Sequence, residues 1–165
     1  SQKALLERLC LPLIKQRLTP FVKVHPLRAQ YHDFGDLELI SREIENQHGL
    51  PHQSIKLLGS KELFWDTAFR SAFVLTFGST AMYELWSVGL KNVHVCNFEG
   101  TTRSDNFRFF PSVFLNSLTE YRDLVSNPEQ YTPTLDPLAS QVYTTYSSLF
   151  KGTATLEVVQ SLESA

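Results

Sequence analysis

The run Phe73-Val74-Leu75-Thr76-Phe77 is almost uniformly apolar. Side chains alternate between the two faces of a strand, so a run without a polar side has both faces buried. That is the condition of a strand in the middle of a parallel sheet covered by helices. The flanking sequence supplies such helices. Gln2 to Leu18 carries Leu5, Leu6, Leu9, Leu13 and Ile14 at helical spacing, with Pro12 expected to interrupt it. Phe21-Val22-Lys23-Val24 is a β-rich run stopped by His25-Pro26. Leu37 to His48 has helical spacing closed by Gly49 and Pro51, and Ile55 to Leu58 is a second short strand. Lys61 to Ser71 fits an amphipathic helix with Leu63, Phe64, Thr67 and Ala68 inward.

After the apolar run, Gly78-Ser79-Thr80 breaks the strand. A helix is expected over Ala81 to Val88, capped by Gly89, and then a strand over Val93 to Cys96. Asn97 to Arg108 is a polar stretch, Thr119 to Ser126 a short helix, and Pro128, Pro133 and Pro137 punctuate a loop. Helical patterns over Leu138 to Phe150 and Ala154 to Glu163 finish the chain. Repeated alternation of strand and helix predicts βαβ crossovers and an open, doubly wound α/β sheet in one domain.

Composition narrows the partners. With 42% hydrophobic residues in 165, the chain can bury a core. Fifteen Lys+Arg against 17 Asp+Glu leave a formal charge of -2, which gives no electrostatic drive toward nucleic acid or an anionic membrane. Any anion must then be bound locally. No apolar run approaches the ~20 residues of a membrane span, and Ser1 to Leu9 lacks the layout of a signal peptide. Cys10 and Cys96, far apart in sequence, suit neither a disulfide framework nor a clustered metal site, so a reducing, cytoplasmic setting is expected.

Ligands of open parallel sheets lie off the carboxyl ends of the strands, and two segments sit there. Gly78 permits a tight turn. Ser79 and Thr80 can either cap the following helix or, with its uncovered N–H groups, hold a phosphate. The segment is neither a Walker loop nor the three-glycine dinucleotide fingerprint. Glu84 lies too late for a capping box; it is either a solvated helix glutamate or a carboxylate that accepts hydrogen bonds from ribose hydroxyls. His25, fixed by Pro26, can contact a phosphate, act as an acid on a leaving group, or be structural. His32, His48, His52 and His94 have no carboxylate or cysteine at ligand spacing, so no metal site is expected. A Gly-x-Ser-x-Gly elbow is absent.

Val24-His25-Pro26, followed by Phe77-Gly78-Ser79-Thr80-Ala81-Met82-Tyr83-Glu84-Leu85, Gly89 and the Val93–Cys96 strand, resembles the nucleotide-binding half of GT-B glycosyltransferases. The likeness is to bacterial sialyltransferases and to capsule and teichoic-acid polymerases. Leu149 to Ala154 is similar to the ends of those domains, and the resemblance runs from about Phe21 to Glu163. It implies a Rossmann-like fold that binds a CMP- or CDP-linked sugar donor without a metal or a further cofactor. His25, Ser79 and Thr80 would then contact the donor phosphate, and Glu84 the ribose or base. Such enzymes have a second, N-terminal domain holding the acceptor site and the catalytic base. The expectation is therefore a donor-binding half that binds without turning over by itself, and that reaches membranes only through the longer protein. Two other classes remain open: a non-catalytic Rossmann-like module that docks another chain, and half of a nucleotide-sugar epimerase.

Overall fold

The computed structural model describes residues 2–23, 34–59, 64–77, 84–85, 89–90, 92–98 and 114–131. The chain divides into two compact units, Ser1–Arg70 and Ser71–Ala165. Both are built of helices and short parallel strands, an α/β organisation.

In the first unit, α1 (Gln2–Lys15) leads to β1 (Phe21–Lys23), then α2 (Phe34–Gln47), β2 (Lys56–Leu58) and α3 (Phe64–Arg70). Strands β1 and β2 are parallel, with Val22 opposite Leu57, so these two side chains share a face. Leu6 and Cys10 of α1, Ile44 of α2 and Ile55 form the core against that face, with Ile14, Ile40, Val22 and Leu57 packed around them. On the opposite face the Lys56 ammonium stands 5.8 Å from the centre of the Phe21 ring. Pro12 does not interrupt α1, contrary to expectation. Proline removes a single backbone donor, and the burial of Leu9 and Cys10 before it and the packing of Ile14 after it outweigh that loss.

Both helices end in the same way. At the end of α2, Gly49 has φ +62°, the Leu50 N–H donates to the Glu45 carbonyl (2.8 Å) and the Gly49 N–H to that of Asn46 (3.3 Å). This is the Schellman arrangement that Gly49 predicts. At the end of α1, Arg17 takes the glycine's place at φ 60°, with the Leu18 N–H on Leu13 (2.9 Å) and the Arg17 N–H on Ile14 (2.9 Å). A side chain in the left-handed region is strained by about 1 kcal/mol. Arg17→Gly is therefore expected to raise stability by roughly 0.5–1 kcal/mol, and Gly49→Ala to lower it by about 1 kcal/mol. An added Cβ at Gly49 meets nothing within 4 Å, so the second effect is purely conformational. Urea unfolding of the two variants checks both signs.

The second unit holds β3 (Val74–Thr76), β4 (Val93–Cys96) and β5 (Phe114–Leu115), parallel throughout and ordered β3-β4-β5. Then come α4 (Leu118–Ser126) and a 3₁₀ turn, Pro128–Tyr131. The Ser117 hydroxyl caps α4 by accepting from the Glu120 N–H (3.1 Å), and the Glu120 carboxylate reaches back to the Asn116 N–H (2.7 Å). Tyr121, Leu124 and Val125 are the buried side of α4. The Tyr121 ring meets Phe73 edge-on at 6.4 Å and Phe98 at 6.0 Å.

In this sheet the middle strand is β4, with all four residues buried, and not the Phe73–Phe77 run. Among the described residues β3 pairs only with β4, and Phe77 at its end is 55% exposed. An apolar run reports attraction to a core; it does not encode which neighbours the strand pairs with. Among the described residues no helix is long and apolar enough to cross a membrane.

Candidate functional site

The carboxyl ends of three parallel strands define one edge of the second unit. By register, Thr76 lies opposite Val95 and Val95 opposite Phe114. Two residues further along, Asn97 and Asn116 extend the same face. There the Asn97 amide Nδ2 donates to Asn116 Oδ1 (3.0 Å), and the Asn97 N–H continues the ladder to the Leu115 carbonyl (2.9 Å). Thr76 is 8% exposed. Neither its Oγ1 nor Asn97 Oδ1, both buried, has a hydrogen-bond partner among the described residues. The strands thus lead into an amide pair and a hydroxyl of which two buried atoms, Thr76 Oγ1 and Asn97 Oδ1, have no partner among the described residues.

Of the residues singled out in the sequence, His25, Gly78, Ser79 and Thr80 lie outside the described residues, as do residues 138–165 with their two expected helices and most of the polar stretch 97–108. Glu84 is described. It is helical and presents surface to solvent, yet the surrounding protein takes enough water from its carboxyl to raise its pKa. Gly89 has φ +90°, and the Leu90 N–H donates to the Leu85 carbonyl (3.0 Å), the 6→1 bond that goes with a capping glycine. Thr76, Asn97 and Asn116 were not among the expected site residues. The available signal was a polar side chain at the end of β3 and just past the ends of β4 and β5.

Several titratable groups among the described residues serve the fold. His94 is 1% exposed on β4, and burial pushes its pKa down to about 4. Asn92 Nδ2 donates to the carbonyls of Ala72 (2.7 Å) and Pro128 (3.4 Å), which turns its Oδ1 toward His94 Nε2 at 2.6 Å. The imidazole is therefore neutral and carries its proton on Nε2. In the first unit a cavity of about 330 Å³ is lined by Arg42, Glu45, Asn46, Leu50 and His52. Its buried Glu45 carboxylate accepts from the Ile55 N–H (3.1 Å) and faces His52 Nδ1 at 3.5 Å, so both oxygens are engaged in holding the segment before β2 onto α2. His48 meets Glu7 across α1 and α2, and Lys3 meets Glu43 at 3.1 Å. Burial raises the Cys10 thiol to about 12, leaving it unreactive, and both cysteines are free thiols. Among the described residues no group of His, Cys, Asp and Glu could hold a metal ion.

Compared with known proteins, the chain matches no family model, no curated protein and no solved structure.

Proposed function

We propose that the chain is a donor-binding domain of glycosyltransferase type, one Rossmann-like half of a GT-B enzyme working in the cytoplasm. In this reading it holds a CMP- or CDP-linked sugar at the carboxyl edge of the β3-β4-β5 sheet. The observation that carries the reading is the polar termination of three parallel strands at the edge where such sheets bind ligands, with Thr76 and Asn97 keeping buried polar atoms unspent. Ser79 and Thr80, which follow β3 in the sequence, would bind the phosphate there, and His25 keeps only the phosphate contact that the resemblance implies. Fixed donors around a departing phosphate lower the barrier to its displacement by an acceptor hydroxyl, each good donor contributing about 3 kcal/mol in comparable sites. Glu84, with a carboxyl already short of water, gains by accepting hydrogen bonds from ribose hydroxyls.

Calorimetry with CMP, CDP, UDP and GDP tests this. A cytidine nucleotide is expected to bind best, and Ser79→Ala with Thr80→Ala to weaken it by at least about tenfold. Glu84→Gln is expected to weaken CMP while leaving inorganic pyrophosphate unaffected. Failure of all four nucleotides to bind at millimolar concentration would sink the reading.

A further inference from the structure

We propose that Thr76, Asn97 and Asn116 bind the hydroxyls of the sugar carried by the nucleotide, as a subsite separate from the one that holds its phosphate. The proposal rests on the nucleotide-binding reading and adds to it the residues that distinguish a loaded donor from a bare nucleotide.

Register puts Thr76 level with Val95, and Asn97 and Asn116, each just past the last paired residue of its strand, continue that face two residues further on. Asn97 and Asn116 are joined amide to amide at 3.0 Å. That bond uses the Asn97 donor and leaves Asn97 Oδ1, an acceptor, buried without a partner, alongside a threonine hydroxyl in the same condition. Leaving buried polar atoms unpaired is costly, and two on one face at a ligand-binding edge differ from the isolated Ser41 hydroxyl in the middle of α2.

The chemistry of the atoms selects the ligand group. A phosphate carries acceptors only and is repelled by an amide oxygen. A sugar hydroxyl both donates and accepts: it can donate to Asn97 Oδ1 while its own oxygen accepts from the Asn116 amide or from the Thr76 hydroxyl. Vicinal hydroxyls therefore suit this cluster, and the phosphate of the same donor must lie elsewhere.

The test is calorimetry on the whole chain with CMP against CMP-N-acetylneuraminate, and CDP against CDP-glycerol. The native protein is expected to bind the loaded member of one pair more tightly. Asn97→Ala and Thr76→Val should each weaken the loaded donor about tenfold and leave the bare nucleotide unchanged. Thr76→Val should melt no lower than the native protein, because its hydroxyl has no intramolecular bond to lose; it decides the matter should Asn97→Ala unfold. Variants that bind both members of a pair like the native protein overturn this assignment and leave the nucleotide reading standing. Equal loss of both members moves these residues to the nucleotide and also overturns it. Absence of binding by the native protein to all four probes removes the nucleotide reading and this proposal together.

Discussion

Tyr121→Ala is expected to lower the stability of the second unit by about 4 kcal/mol, the usual effect of emptying a fully buried aromatic site. Tyr121 has no exposed surface, and its ring joins α4 to Phe73 ahead of β3 and to Phe98 after β4. Leu124 and Val125 bury the same helix side, but neither can replace contacts to two aromatic rings that flank different strands. Tyr121→Phe keeps both ring contacts and should lose no more than about 1.5 kcal/mol. Denaturant unfolding followed by near-ultraviolet circular dichroism measures the difference. Equal small losses for both substitutions would show that the ring is not the centre of this core.

The second large effect is on pH. His94 titrates near 6.5 when unfolded and is lowered to about 4 by burial in the folded chain. Between those values the unfolded state binds the extra proton and the folded state does not, so stability falls as the pH falls. The contribution is fully present above about pH 6.5, and about 3 kcal/mol of it is lost by pH 4. His94→Gln keeps a donor for Asn92 Oδ1 but cannot titrate. Unfolding free energies measured from pH 7 to pH 4 should therefore fall more steeply for the native protein than for the variant. Parallel curves would assign the acid sensitivity to other groups.

The end of α2 was legible in the sequence because a residue in the left-handed region leaves a chemical trace: Gly49 stands where the chain turns out of the helix. Arg17 does the same job without the trace, so the end of α1 was placed too late. The start of α4 is written in Ser117-Leu118-Thr119-Glu120, the spacing of reciprocal capping, and could have been placed from it. Sheet order was not legible. Phe73–Phe77 and Val93–Cys96 are both apolar, and which of them is flanked on both sides depends on partners distant in sequence.

The candidate site divides along the same line. Gly78-Ser79-Thr80 could be singled out from residue types alone, as a helix cap or a phosphate contact, and lies outside the described residues. Thr76, Asn97 and Asn116 become a group only once register aligns three strands. His94 looked like any histidine in a strand, and its neutrality follows from Asn92, two residues away on the same face, and from the burial around it.

Asn92 has a consequence for how the second unit comes apart. One amide side chain fastens the segment before β3, the imidazole of β4 and the turn after α4, while its carbonyl takes the first N–H of β3. Segments riveted at a single point cannot fray one by one. At the amino edge of this sheet the segment before β3, β4 and the turn after α4 are therefore built to separate together or not at all.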